Sequence, residues 1–404
     1  MLYLPLRRIA SSSVILAVQA LLVGLPPALR AQESSLVKSE NSYWTQTVTG
    51  SIDASEATKL KVSASGLILL SGREQPRLEY VLRKRIRAAT RQEAEGLLSA
   101  AGVRLERTGS VVVLSVSPAG QHPLTPELEV RAPSRLPFAV LETFGGRLSV
   151  DGMEGSVLAE SGDGSVWAGR IGGNLTARTR AGDIEVGNVG GQLRCVTGSG
   201  NIRLGRAGGE AWFDTGGGSI QVEEASGPVH AVTGGGDIEI RRAGASVSAR
   251  TGGGLIRVQK ASGPVNVQNA GGSIEIDAAE GVRSQSASGG VRLRGISGAL
   301  NVSTSVGSIH AELVAGMPIR DSFLNTSAGD IVVHIPSNLA VTVSAHNYSL
   351  GQHGRIISEF PEIAIRFPVR SAGAPVTAEG ALNGGGPVLK IAAAEGTIFL
   401  RRPR

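Results

Sequence analysis

The sequence predicts an all-β fold: a two-sheeted parallel β-solenoid (β-helix) with 18-residue coils, plus a small α+β cap at its N-terminal end. Three observations predict it. Apolar residues recur every 18 residues through the middle of the chain, and a second apolar series runs between them, offset by nine residues. The composition, with 56 glycines and only 3% aromatic residues, favours thin, regular layers over a bulky core.

Each member of the first series is followed two residues later by another apolar side chain, which is the alternation of a strand with one buried face. The series consists of Leu148, Val166, Ile184, Ile202, Ile220, Ile238, Ile256 and Ile274, then Val291 after a step of 17 residues, and Ile309.

The second series predicts a second strand in every coil. It consists of Val157, Leu175, Leu193, Ala211, Val229, Val247, Val265 and Leu300. Glycine-rich turns such as 215–218 separate the two strands. A single coil cannot bury its apolar face, so the coils must stack at about 4.8 Å in parallel, with residues 18 apart directly above one another.

The outward position between the paired apolar residues carries alternating charges along much of the stack. It is occupied by Glu185, Arg203, Gln221, Glu239, Arg257, Glu275, Arg292 and His310. We interpret this column as a ladder of mutually compensating charges, with a charged binding face as the alternative. Another 18-residue column consists of Thr179, Thr197, Thr215, Thr233 and Thr251, whose hydroxyls are expected to bond turn backbone.

Residues 1–31 are predicted to be a secretory signal peptide, cleaved after Ala31. Arg7 and Arg8 precede an apolar run from Val14 to Leu25, too short for a comfortable membrane span. An uncleaved N-terminal anchor is the alternative. No cysteine follows the signal directly, which argues against a bacterial lipid anchor. The protein is therefore expected to be exported, to the periplasm, the outer-membrane surface or the extracellular space.

The rest of the chain divides into four predicted parts: a linker (32–43), an α+β capping segment (44–140), the solenoid repeats (141–335) and a C-terminal cap with an inserted loop (336–404). In the first cap, Leu78 to Arg87 alternates as an exposed strand does, and residues 90–93 form a capping box before a helix. In the second cap, a polar insertion surrounds 346–357, and two further strands close the chain.

The net charge of +6 falls to +3 once residues 1–31 are removed. This small excess predicts no nucleic-acid partner and leaves a peripheral association with the envelope open. Cys195 is the only cysteine, so the chain has no internal disulfide. Its inward position predicts a buried, inert thiol.

The motifs resemble the DUF4097-type adhesin family of bacterial β-strand-repeat proteins. The resemblance covers residues 44–404. It rests on four segments: Gly-Asp-Ile-Glu-Val at 182–186, Gly-Gly-Asp-Ile-Glu-Ile at 235–240, Val-Arg-Ala-Pro at 130–133 and Leu-Asn-Gly-Gly-Gly-Pro at 382–387. It implies the solenoid fold and an adhesive role, and it brings no catalytic residues.

Catalytic and metal-binding chemistry are weakly indicated. Calcium-binding nonapeptide repeats need an aspartate at every turn, but the matching column reads Asp183, Asn201, Ser219, Asp237, Leu255 and Ser273. His346 and His353, seven residues apart, could bind a metal but are more simply solvated loop residues.

Glycoside hydrolysis would need two carboxylates, available among Asp214, Glu223, Glu224 and Glu239. Each of these also has a structural explanation. We expect no cofactor, no metal and no enzymatic activity.

Trp167 and Trp212 are the candidate contact residues, because both fall at outward positions where an indole could stack on a sugar or a partner. Cover for a turn is the alternative. The sequence thus favours a non-catalytic, adhesin-like surface or envelope protein that presents a repetitive face to a partner protein or glycan. A carbohydrate-active β-helix enzyme and a periplasmic scaffold or regulatory partner of membrane signalling proteins remain the alternatives.

Overall fold

The computed structural model describes residues 38–40, 43–117, 126–314, 316–317, 319–349, 355–367 and 374–403. The predicted signal peptide, most of the predicted linker, and His353 lie outside these residues. Within them the predicted fold is confirmed: the chain is a parallel β-solenoid of two facing sheets with one α-helix near its N-terminal end.

The N-terminal elements are β1 (Lys38–Glu40), β2 (Tyr43–Asp53), β3 (Lys59–Ala64), β4 (Leu67–Arg73), β5 (Arg77–Arg87), α1 (Arg91–Ala100), β6 (Val103–Thr108), β7 (Val111–Val116), β8 (Glu127–Pro133) and β9 (Phe138–Thr143). The regular coils comprise β10 (Leu148–Asp151), β11 (Ser156–Ser161), β12 (Val166–Ile171), β13 (Leu175–Thr179), β14 (Ile184–Val189), β15 (Leu193–Thr197), β16 (Ile202–Ala207), β17 (Ala211–Thr215), β18 (Ile220–Ala225), β19 (Val229–Thr233), β20 (Ile238–Ala243), β21 (Val247–Thr251), β22 (Ile256–Ala261), β23 (Val265–Asn269) and β24 (Ile274–Ile276).

The C-terminal elements are β25 (Ala279–Ser288), β26 (Val291–Val306), β27 (Ile309–Leu313), β28 (Ser322–Ala328), β29 (Ile331–His334), β30 (Val341–Asn347), β31 (Arg355–Ser358), β32 (Ala364–Arg366), β33 (Val376–Leu382), β34 (Val388–Glu395) and β35 (Thr397–Arg401). The 16-residue strand β26 turns the corner between the sheets, because its first part pairs with β24 and its second part with β25.

The strand register is the one that the 18-residue period predicts. Ile202 pairs with Ile184 on one side and with Ile220 on the other, in parallel. The even-numbered strands from β10 to β24 form the first sheet and the odd-numbered strands from β9 to β25 form the second. Their inward side chains make one continuous core that runs from Val48 to Leu400.

The threonine column forms hydrogen bonds with the turn backbone, as predicted. The Thr215 hydroxyl donates to the carbonyl oxygen of Gly200 at 2.8 Å and accepts from the amide of Gly218 at 3.2 Å. Thr197 and Thr233 make the same pair of bonds one coil away on either side. These hydroxyls satisfy turn groups that the strand ladder leaves unpaired.

The parallel stack extends beyond the predicted repeat range of 141–335. In space, β3 lies between β7 and β9, and β4 lies between β8 and β10. Strand β5 has the predicted alternation: Leu78 and Leu82 are fully buried in the core while their neighbours face outward. It pairs antiparallel with β8 and with β2, so an antiparallel strand pair covers this end.

The predicted helix is present with Thr90 as its N-cap, and the capping box differs from the usual one because Glu93 bonds to the residue before the cap. Thr90 accepts a hydrogen bond from the amide of Glu93 at 3.2 Å, and the Glu93 carboxylate accepts one from the amide of Ala89 at 3.0 Å. Ala94 and Leu98 are buried against Ile86 in a small separate cluster. Within the described residues, no helix is long and apolar enough to cross a membrane.

The last two strands of the described chain lie inside the stack. Strand β34 lies between β28 and β30, and β35 lies between β29 and β31. The end is covered by β33, antiparallel to β30, and by β32, antiparallel to β33.

Candidate functional site

The second sheet carries an exposed stack of three unlike side chains on consecutive coils. Arg194, Trp212 and His230 occupy the same outward position of β15, β17 and β19. The Arg194 guanidinium carbon lies 5.0 Å from the centroid of the Trp212 ring. The imidazole of His230 stacks on the other side, with ring centroids 5.1 Å apart and an interplanar angle of 29°. We call these three residues the Trp212 platform.

The backbone of the platform is fixed by the buried side chains of the same strands. The platform residues alternate with inward side chains, and Cys195 and Phe213 next to them are fully buried. His230 is also bound at its edge, since its Nε2 atom lies 3.3 Å from a carboxylate oxygen of Glu210. The indole of Trp212 nevertheless remains 37% exposed. An aromatic ring held this rigidly and left open to solvent can contact a ligand with little loss of conformational entropy.

Trp167 lies on the first sheet, across the core from Trp212, so the structure does not bring the two tryptophans together. It is half-buried. Its Cη2 atom reaches to 2.8 Å from the point where a Cβ on Gly169 would stand, so the indole lies over the backbone of Gly169. Whether Trp167 contacts a partner stays a prediction.

The charged column of the first sheet has the predicted register. Arg257 donates to a carboxylate oxygen of Glu275 at 3.0 Å, and Arg203 donates to the side-chain oxygen of Gln221 at 3.1 Å. Cross-strand pairs of this kind contribute about 0.2–1 kcal/mol each. These contacts favour the interpretation of the column as a self-compensating ladder.

The candidate carboxylates do not form a hydrolytic pair. Glu224 lies between Arg242 and Arg206, at 2.7 Å and 2.9 Å. Hydrogen bonds from Arg242 and Arg206 hold the pKa of Glu224 below its ordinary value, which is the opposite of what a general acid needs.

The other three carboxylates are separated from one another or already paired. Glu223 pairs with Arg241 at 2.9 Å. Asp214 lies on the second sheet, whereas Glu239 lies on the first, so the core separates them.

The turn column that begins at Asp183, which was compared with calcium-binding repeats, forms hydrogen bonds between neighbouring coils. The Asp183 carboxylate accepts a hydrogen bond from the amide of Asn201 at 2.7 Å, and Asn201 accepts one from the amide of Ser219 at 2.9 Å. Asp237 does the same for the amide of Leu255 at 2.8 Å. The described residues contain no cluster of three or more His, Cys, Asp or Glu side chains suited to a metal ion.

Burial raises the pKa of the Cys195 thiol, which keeps it protonated and unreactive at neutral pH. The sequence reasoning did not identify Arg194 and His230 as the neighbours of Trp212. The signal for them was available, because 194, 212 and 230 are spaced by 18 residues at an outward position.

Comparison with known proteins gave matches only among solved structures. No family model matches the chain, and no curated protein matches it. A provisionally named adhesin from Bacteroides fragilis is 13% identical, with a TM-score of 0.32, covering 61% of this chain and 96% of its own.

Two further solved structures resemble the chain to a similar degree. A provisionally named adhesin from Parabacteroides merdae is 13% identical with a TM-score of 0.27, covering 65% of this chain and 95% of its own. A provisionally named cell adhesion protein from Clostridium sporogenes is 11% identical with a TM-score of 0.19, covering 89% of this chain and 100% of its own. At these values the fold assignment rests on the strand pairing described above.

Proposed function

We propose that this protein is a non-catalytic, exported, adhesin-like surface or envelope protein that presents a repetitive face to a partner protein or glycan. The Trp212 platform is the observation that carries the proposal. An indole held between a guanidinium and an imidazole, which cover its two faces, offers its outer edge as an apolar contact with hydrogen-bond donors on both sides. Sugar rings and protein loops are both recognised by such surfaces.

The surroundings of the platform support contact with a large ligand. The next side chains along the second sheet, beyond Arg194 and His230, are Thr176 and Ser248, so the platform lies between short polar neighbours. Val232, one of the outward residues beside it, is 37% exposed and extends the apolar surface. Each coil adds another outward row at a spacing of about 4.8 Å, so an extended partner could lie along the stack.

The proposal is tested by a glycan array and a pull-down from envelope extracts, with the unmodified protein and the variants Trp212→Ala and Trp212→Phe. We expect specific retention by the unmodified protein, loss in Trp212→Ala and partial retention in Trp212→Phe, which keeps an aromatic ring. The variant Trp167→Ala tests whether Trp167 on the first sheet contributes to this retention. Polysaccharide cleavage without any retained glycan or protein would contradict the proposal.

A further inference from the structure

A recess of about 570 Å³ opens at one corner of the solenoid, on the same sheet as the Trp212 platform, and its lining includes Ser248, one coil beyond His230. It lies where the repeat loses one residue. The corner between Ala279 and Val282 has two residues, whereas the corners on either side, between Ala261 and Val265 and between Ile296 and Leu300, each have three. A short corner between two longer ones leaves a notch in the stack.

The backbone accommodates the missing residue at glycines. Gly281 and Gly298 adopt positive φ angles of 90° and 77°, which other residues rarely adopt. The strand register shifts between Glu280 and Val282. A Cβ placed on Gly281 would meet nothing closer than 3.6 Å, so the floor of the notch is open.

The next coil along the chain is longer. Asn301 pairs with Phe323, 22 residues later, so this coil has four residues more than the 18-residue repeat. The amide of Arg320 donates to the carbonyl oxygen of Gly298 at 3.0 Å, which fixes Arg320 at the rim.

Two guanidinium groups face this recess without an acidic partner. Arg283 and Arg320 both line it and are exposed, and neither has a carboxylate within 4.0 Å among the residues described in the structure. Glu280 is the one acid in the lining, which leaves the recess with an excess of positive charge. Nearby acids are already bound: Asp321 accepts from the amide of Val388 at 2.8 Å, and Asp277 lies 3.7 Å from Arg294.

The rest of the lining suits a sugar ring. Pro264 and Ala299 contribute apolar surface, above the inward side chains of Val265 and Val282. The amide side chains of Asn266 and Asn301 lie one coil below and one coil above Arg283 in the same outward column. Phe323 follows Asn301 in that column and is 41% exposed. An apolar floor with a few convergent polar groups and a recess of this size are typical of small-molecule sites.

We propose that this recess binds an acidic sugar unit of a glycan, with Arg283 and Arg320 pairing with its carboxylate and Asn266 and Asn301 with its hydroxyls. Guanidinium groups match carboxylates through two parallel hydrogen bonds, which makes them selective for planar anions. Arg194, Trp212 and His230 are not in the lining of the recess, so Arg283→Gln and Trp212→Ala test this proposal and the function proposed above separately.

The test is calorimetric titration of the purified full-length protein with trigalacturonate, with neutral galactotriose and with acetate, at 150 mM salt. We expect saturable binding of trigalacturonate, at least tenfold weaker binding of galactotriose and no binding of acetate. Arg283→Gln and Arg320→Gln should each weaken trigalacturonate binding at least tenfold. Arg250→Gln, an exposed arginine of the second sheet outside the recess, should change it less than twofold.

A second variant tests the notch itself. Inserting a proline after Gly281 restores the three-residue corner seen at 262–264 and should abolish binding without lowering the melting temperature. Four outcomes would overturn the proposal. They are equal affinities for trigalacturonate and galactotriose, equal effects of Arg250→Gln and Arg283→Gln, binding of acetate as tight as that of trigalacturonate, and no saturable binding.

Discussion

The hydroxyl of Thr215 lies 2.8 Å from the carbonyl oxygen of Gly200, in the turn one coil earlier, and this contact repeats along the solenoid. Thr215 is 1% exposed, so its hydroxyl has no access to water as a substitute partner. Replacing it should therefore leave both the Gly200 carbonyl and the Gly218 amide without this partner.

We expect Thr215→Val, which keeps the shape of the side chain, to lower the free energy of unfolding by about 1–3 kcal/mol. Urea denaturation followed by circular dichroism measures this. The control is Thr176→Val, at an outward, half-buried position of the same solenoid, which should change stability by less than about 0.5 kcal/mol. Equal losses in the two variants would mean that the hydroxyl contacts contribute nothing.

Trp212 and Phe213 are adjacent in sequence but lie on opposite sides of β17, and replacing each by alanine tests the register. Phe213 is fully buried, so Phe213→Ala should lower stability by about 3–5 kcal/mol. Trp212→Ala removes one exposed ring with its cation–π contact to Arg194 and should lower it by about 1 kcal/mol at most.

Thermal denaturation of both variants gives the comparison. A register displaced by one residue would reverse the order, because it would move Trp212 into the core and Phe213 to the surface. Trp212→Ala should therefore remain folded, which allows it to be used in the binding experiments.

The turn Gly216-Gly217-Gly218 contains two glycines that differ in the space around them. A Cβ on Gly218 would overlap the carbonyl oxygen of Gly200 in the neighbouring coil, whereas a Cβ on Gly217 would have nothing within 4 Å. We expect Gly218→Ala to lower the free energy of unfolding by about 1–3 kcal/mol, as overpacking does. Gly217→Ala should be neutral or stabilise the protein by up to about 1 kcal/mol, by restricting the unfolded chain.

The two alanine variants are compared in the same denaturation assay. If Gly217→Ala is as harmful as Gly218→Ala, the cause is the backbone conformation of the turn and not the close approach of the coils.

The pair of arginines around Glu224 makes a pH-dependent contribution to stability. The pKa of Glu224 is lowered in the folded protein from an ordinary value of 4.5. The contribution is therefore fully present above pH 4.5 and is lost as the pH falls through the lower, folded pKa. We expect Glu224→Gln to be less stable than the unmodified protein at neutral pH, with a difference that disappears in acid.

Denaturation at a series of pH values from neutral to strongly acidic measures the difference. Glu185→Gln is the control, since the Glu185 carboxylate forms no ion pair with any described residue within 4.0 Å. A difference for Glu224→Gln that stays constant with pH would argue against the charge interaction.

The sequence predicts the repeating part of this fold well, because each coil makes the same contacts as its neighbours. The period places Ile202 on Ile184 and Ile220, and it identifies the threonine column before any coordinates are considered. The order of strands at the two ends is not predictable in this way. Strands β3 and β34 each enter the stack between strands that are distant in sequence, and no period connects them with those partners.

The candidate sites, like the fold, were predictable from the sequence only in part. Trp212 was identified from its outward position, but its contacts with Arg194 and His230 depend on rotamers that a periodic pattern does not encode. The recess is signalled by the 17-residue step before Val291. Its lining also includes Arg320, which lies in a coil of irregular length, and the position of such a residue does not follow from the repeat.

The final strands β34 and β35 are held on both sides, by β28 and β29 on the inner side and by β30 and β31 on the outer side. Residues 388–401 follow all four of these neighbouring strands in the chain, yet they form the link between them. A nascent chain must therefore keep an unfilled gap between β28 and β30 until residues 388–395 have been synthesised. During that interval its open strand edges are vulnerable to pairing with other chains.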